Sequence, residues 1–137
     1  VNLLRGGLLP VIHGDVLSDC AIGCTIYSGE QILNLIALQL PLLGLRAKVI
    51  IEVGKTEGVY DSSGRTIEVI NESNFDKIQE EIEPSDSIDV TGGMAHKIRE
   101  AFEIAKKGVP SLLISGEPGN LEKAILGREV RGTWIKV

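Results

Sequence analysis

Short apolar runs that end in glycine-bearing polar loops constrain this chain more than any other feature. Leu8 to His13 closes on Gly14 and Asp15, Lys48 to Val53 on the loop Gly54-Lys55-Thr56-Glu57-Gly58, and Val109 to Ser115 on Gly116-Glu117-Pro118-Gly119. A run with no polar alternation leaves no face for water, so it reads as a strand covered on both sides. Between the runs the period changes. Ile98, Ala101, Phe102 and Ala105 recur at helical spacing, with Gly108 placed as a C-cap. Ser28-Gly29-Glu30 precedes Ile32, Leu33, Leu35, Ile36 and Leu38, which predicts a helix starting near Ser28, buried on most sides and ended by Pro41. Asn74 to Ile82 predicts an amphipathic helix before Pro84, and Leu121 to Leu126 a short one. Cys24 to Tyr27, Thr66 to Ile70 and Thr133 to Val137 complete the strands, with Ser62-Ser63-Gly64 as a turn.

Strands alternating with helices predict an α/β layered fold around a mainly parallel sheet, with helices on both faces. The 137 residues suffice for one ordinary core. Leu3 and Leu4 read as the end of a helix that runs straight into a strand, so the chain opens as if part-way through a domain. Its apolar opening is interrupted by Arg5, Gly6, Gly7 and Pro10, and Ile32 to Leu45 by Asn34, Gln39, Pro41 and Gly44. Neither has the length or continuity of a membrane span, and a cytoplasmic protein is predicted. A formal charge of −5, with Lys and Arg scattered among the acids, offers no basic stripe for nucleic acid. Cys20 and Cys24 make neither a disulfide framework nor a metal site, and are predicted to be buried structural thiols.

Ligands of open α/β sheets sit beyond the C-terminal ends of the strands, which directs attention to the loops there. The segment Thr91-Gly92-Gly93-Met94 opens a helix, where free N–H groups and the positive dipole end attract anions and glycine lets backbone approach a phosphate. Lys97 lies about one turn further on and reaches the same place. On spacing alone, a tight turn followed by a solvated lysine fits as well, since this is not a Walker-type loop. His13 reads as a hydrogen-bonded structural residue at a strand end, and His96 as a residue of an exposed helix face. Asp89 is placed to cap the Thr91 loop, and with no second carboxylate at ligand spacing no metal site is predicted. Packing accounts for Tyr60 and Trp134.

Five strings in order carry a family resemblance. They are Pro-Val-Ile-His-Gly-Asp-Val at Pro10 to Val16, Thr-Ile-Tyr-Ser-Gly-Glu at Thr25 to Glu30, Glu-Gly-Val-Tyr-Asp at Glu57 to Asp61, Asp-Val-Thr-Gly-Gly-Met at Asp89 to Met94 with Lys97, and Pro-Gly-Asn-Leu at Pro118 to Leu121. Together they resemble the C-terminal portion of the isopentenyl phosphate kinases, within the amino acid kinase superfamily. The resemblance implies a three-layer αβα sandwich that moves the γ-phosphoryl of ATP, accompanied by Mg²⁺, to isopentenyl phosphate, giving isopentenyl diphosphate in an alternative mevalonate route. It implies ATP contacts at Lys55, Gly58, Tyr60, Asp61, Thr91, Gly92, Gly93 and Lys97, and places Ser28 and Gly29 at the substrate phosphate. Glu30 stands where the family has an Asp that orients catalytic lysines, so Glu30 and Lys97 are the catalytic candidates. Lys55 departs further, since the family usually carries Asp in that loop; it reads as a solvated lysine or an added phosphate contact.

The family's Gly-rich loop with two lysines and its Gly-rich, His-bearing segment are not found in this sequence. Residues 1–137 therefore read as the C-terminal, nucleotide-binding part of the fold, with the N-terminal part supplied in the same polypeptide or by a partner. The family often forms homodimers. Other acceptors of the superfamily, such as fosfomycin, an amino acid or a nucleoside monophosphate, stay open. So does a non-catalytic nucleotide-binding subunit, which the changes at Glu30 and Lys55 motivate.

Overall fold

The computed structural model describes residues 1–82 and 93–137. Length alone predicts one core; the internal contacts gather instead into two compact units, Val1–Ala47 and Lys48–Val137, and each is described by itself.

The first unit begins with α1 (Asn2–Arg5) and contains a hairpin of β1 (Asp15–Asp19) and β2 (Gly23–Tyr27), antiparallel, with Leu17 opposite Thr25. The hairpin turn is organised by Asp19, whose carboxylate accepts N–H bonds from Ala21 (2.7 Å) and Ile22 (3.0 Å). Those bonds, Ile22's first, hold its carboxyl below the ordinary range. Ser28 then caps α2 (Gly29–Gln39) with a reciprocal box: its hydroxyl accepts the Gln31 N–H at 3.1 Å, and its own N–H donates to Gln31 Oε1 at 3.0 Å. At Pro41 the chain tightens into the 3-10 turn Leu40–Leu43.

Three expectations fail in this unit. Leu8 to His13 is irregular and exposed rather than a buried strand, because an apolar run becomes one only against a sheet that accepts its backbone, and among the described residues none does. Helix α2 buries Ala37 while Leu33, Leu35 and Ile36 stay exposed, so it is covered on less of its surface than its composition predicts. Cys20 and Cys24 are exposed free thiols, one in the hairpin turn and one on β2, where neither strand is covered.

The second unit is a four-stranded sheet in the order β3-β5-β6-β4, formed by β3 (Ile50–Gly54), β4 (Val69–Ile70), β5 (Ser111–Ser115) and β6 (Gly132–Ile135). The β3–β5 and β4–β6 ladders are parallel and β5–β6 is antiparallel, which makes the sheet mixed but mainly parallel, as expected. Strand β4 is shorter than predicted, since residues 66–68 belong to an arm described below.

All five residues of β5 are buried, and their period of two sorts them between two layers. Leu113 faces one core with Ile98, Ala101, Phe102 and Ala105 of α4 (Gly93–Ala105), Ile78 of α3 (Phe75–Ile82), Val59, Ile70 and Ile135. Leu112 and Ile114 face the other, with Ala124 of α5 (Asn120–Ile125), Val49, Ile51 and Val130. The unit is thus a helix–sheet–helix sandwich. The four apolar α4 positions read from the sequence are all in the first core, where each large side chain contributes about 1.5–3 kcal/mol. Phe102 stacks on Phe75 with ring centroids 3.9 Å apart, tying α4 to α3. Gly108 ends the helix as predicted: the N–H groups of Gly108 and Val109 return to the carbonyls of Ala105 and Ile104. No helix among the described residues is long and apolar enough to cross a membrane.

Ser111 starts β5 between Ile50 and Ile135, and its buried hydroxyl finds no partner among the described residues. Deleting an orphaned buried hydroxyl removes a desolvation penalty without breaking a bond. Ser111→Ala is expected to raise stability by about 1 kcal/mol in urea unfolding; a loss of that size would show that the hydroxyl has a partner.

Candidate functional site

The parallel pair β3 and β5 ends side by side, and there the chain has glycine as the last residue of β3 and the first after β5: Gly116 N–H donates to Gly54 O at 2.9 Å. Beyond that edge lies a small cleft lined by Glu52, Val53 and Gly54 of β3, Thr56 and Gly58 of the following loop, Leu113 and Ile114 of β5, and Met94 and Lys97 of α4. It lies at the C-terminal strand ends, where α/β sheets hold their ligands. Its volume, about 40 Å³, is far below the roughly 300 Å³ at which small-molecule pockets begin. What fits is a phosphate-sized group rather than a whole nucleotide.

Gly58 is the position where the loop's shape is decided. Its φ is +108°, a region L side chains rarely adopt, and it is buried against β6 so closely that a Cβ would meet the Thr133 backbone nitrogen at 2.7 Å. The next residue is held there by a side chain distant in sequence: the Thr133 hydroxyl accepts the Val59 N–H at 2.8 Å and donates to the Ile67 carbonyl at 2.7 Å. Thr56 adds a local bond, its hydroxyl donating to Gly58 O at 2.8 Å. From Val59 the chain runs out and back as a narrow arm, with Ile67 N–H on Val59 O and Tyr60 bridged to Thr66.

Two ion pairs lie along this arm. Glu57 meets Arg131 at 3.0 Å and Asp61 meets Arg65 at 3.2 Å. Both arginines are largely exposed, so solvent and salt leave each pair little net contribution to stability. The buried bonds of Thr133 are the stronger hold, because a partner orphaned there costs about 1–3 kcal/mol.

The expected site residues separate into groups. Gly58 and Lys97 share the cleft. Gly93 opens α4 one turn before Lys97, whereas Thr91, Gly92 and Asp89 lie outside the described residues. Lys55 is exposed and does not line the cleft, nor does Tyr60, whose hydroxyl accepts the Glu57 N–H at 3.3 Å. Asp61 also lies off it: its carboxylate accepts from the Ser63 hydroxyl (2.6 Å) and from the N–H groups of Ser63 and Arg65, both at 2.9 Å. Ser28, Gly29 and half-buried Glu30 form the first turn of α2 in the other unit. There Gly14 packs its backbone on theirs, since a Cβ at Gly14 would meet Gly29 N at 3.0 Å. His13 is exposed, with Nδ1 2.7 Å from Gly14 O, and His96 pairs with Glu100 at 3.2 Å on the open face of α4.

Glu52 and Thr133 are additions. Glu52 was visible as the one charge inside an apolar strand, an expensive residue unless it has work at the strand end. Thr133 carried no local signal.

With a strand-end cleft, a glycine-shaped loop and a lysine one turn into the helix that lines it, the second unit has the build of a layered α/β domain with its open cleft at the strand ends. Residues 1–115 match the amino acid kinase family, and the chain belongs to that family. It is similar to the isopentenyl phosphate kinase of Methanothermobacter thermautotrophicus, 38% identical over 98% of this chain and 51% of that protein. The same enzyme of Methanocaldococcus jannaschii is 37% identical over 98% of this chain and 48% of its own length. An X-ray structure of isopentenyl phosphate kinase superposes with a TM-score of 0.72 at 32% identity, over 98% of this chain and 48% of that one. The chain spans about half the length of the relatives it matches.

The Asp61 turn makes a pH prediction. The Ser63 hydroxyl first, then the Arg65 N–H, hold the Asp61 carboxyl down to about 2 from an ordinary 3.8. A carboxylate with a depressed folded pKa stabilises above its unfolded value, and that contribution fades as pH falls through the folded one. The amides of Ser63 and Arg65 are therefore expected to stay protected at pH 5 and to lose protection between about pH 4 and 2. In Asp61→Asn that acid step should be missing from amide exchange; an unchanged step would assign it to another group.

Proposed function

We propose that this chain is the nucleotide-binding part of an ATP-dependent kinase that phosphorylates the phosphate of isopentenyl phosphate, giving isopentenyl diphosphate. The observation that carries this proposal is the convergence of Gly58 and Lys97 on one cleft at the C-terminal ends of β3 and β5. Its size suits a phosphate of ATP, with the rest of the nucleotide extending outward across the loop.

In phosphoryl transfer the protein mainly positions two phosphates in line and offsets charge, without a covalent nucleophile. An oxygen of the acceptor phosphate attacks the γ-phosphorus, the bond to the β–γ bridging oxygen breaks, and ADP leaves with the electron pair. Lys97 supplies the positive charge in the cleft, and its place on the first turns of α4 sets it where the dipole also favours anions. Gly58, lacking a Cβ, lets the loop pack directly on β6 and so sets the loop wall of the cleft. Glu52 is the carboxylate among the cleft residues. Mg²⁺ bound with ATP would offset phosphate charge, and Glu52 would be the side chain placed to help hold it. One lining carboxylate among the described residues suits an ion held chiefly by phosphate, not by a protein cage.

Ser28 and Gly29, at the amino end of α2, would meet the acceptor phosphate, and Glu30 would orient a catalytic lysine. The remaining phosphate contacts come, in this proposal, from sequence beyond these 137 residues, as the half-length match to the relatives suggests. Isopentenyl phosphate is favoured over other acceptors by the two archaeal relatives and by the structural match at 32% identity.

The test is ATP consumption with isopentenyl phosphate, measured on the full-length polypeptide that carries this sequence. Lys97→Ala is expected to lower kcat/KM by about 10- to 150-fold, the loss of one charge-assisted phosphate contact of about 1.5–3 kcal/mol. Turnover equal to wild type would remove Lys97 from the phosphate site.

A further inference from the structure

The last strand of the sheet lies beyond residues 1–115, the part matched by the family. One of its side chains nevertheless governs the loop that forms the cleft. Thr133 is fully buried, Val59 beside it is 1% exposed, and the single hydroxyl serves an N–H on one side and a carbonyl on the other. Its two partners, Val59 and Ile67, are the two strands of the arm at the point where the arm leaves the sheet. Gly58, immediately before, packs so closely on Thr133 that a Cβ there would meet the Thr133 backbone nitrogen at 2.7 Å. The hydroxyl therefore fixes the height of Gly58 above the sheet, and with it the wall of the cleft opposite Lys97.

We propose that Thr133 is a positioning residue for the nucleotide: its hydroxyl holds the Gly58–Val59 backbone in the conformation that accepts a phosphate, without touching the phosphate itself. This rests on the nucleotide-binding reading given above. Valine has the shape of threonine without the hydroxyl, so Thr133→Val keeps the packing and leaves the Val59 N–H and the Ile67 carbonyl both unpaired in a site closed to water. The loop then recovers hydrogen bonds only by leaving this conformation. Serine keeps both bonds and loses a methyl group. A merely structural role would make Thr133 equivalent to its neighbour Ile135, equally buried on the same strand face.

The experiment measures MgATP affinity by calorimetry on the full-length polypeptide in four forms: wild type, Thr133→Val, Thr133→Ser and Ile135→Val. Thr133→Val is expected to bind about tenfold more weakly, with a matching rise in KM for ATP at nearly unchanged kcat. Thr133→Ser should stay within about twofold of wild type. Ile135→Val should lower the melting temperature yet keep affinity. In wild type, amide exchange at Val59 is expected to slow further when MgATP is added. That measurement decides the matter even where Thr133→Val does not fold, since a Val59 amide indifferent to bound MgATP would overturn the proposal. A folded Thr133→Val with wild-type affinity would overturn it too. A wild type that binds no MgATP would sink the nucleotide reading itself, and the proposal with it.

Discussion

Strand β5 has water on neither face, and the second unit is arranged around that fact. A five-residue run buried on both sides must be covered twice, by α3 and α4 over Leu113 and by α5 over Leu112 and Ile114. The coverings force strand–helix alternation in the sequence, and alternation makes parallel ladders the natural pairing. Parallel neighbours end on the same side. The β3 and β5 loops are brought together at that edge, so the cleft is a consequence of how the core is closed.

Much of this was legible because the relevant forces act over a few residues. Ile98, Ala101, Phe102 and Ala105 announce α4 through their spacing, Ser28 announces the start of α2 through its cap, and Gly108 the end of α4. The run at Val109 to Ser115 was correctly assigned to a covered strand. The run at Leu8 to His13 is similarly apolar and is no strand, which shows what composition leaves out: a strand also needs a neighbouring edge, and among the described residues none pairs with it. Cys20 and Cys24 were assigned to the interior by the general habit of free cysteines, but the hairpin that carries them has no covering layer among the described residues.

Within the site, legibility follows the same rule. Lys97 was singled out because a glycine-bearing helix start has a chemical meaning close at hand, though only the family resemblance lifted it above a solvated lysine, and Gly58 was singled out by that resemblance alone. Thr133 was not found, since its partners lie 74 and 66 residues away and no motif surrounds it. The loop residues Tyr60 and Asp61 were placed near the nucleotide by resemblance. Their geometry gives a local reason for their presence, because Asp61 builds the turn of the arm and the Tyr60 hydroxyl accepts the Glu57 amide.

The alternation of β6 has an optical consequence. Thr133 and Ile135 point into the core shared with α4, so Trp134 between them points to the opposite face, where it remains 36% exposed. It is the single tryptophan of the chain. Under excitation too red for Tyr27 and Tyr60, the emission of these 137 residues thus originates at one indole whose backbone is joined directly to the loop anchor. A shift in its wavelength reads out a change in the water around that strand face without any dye being attached.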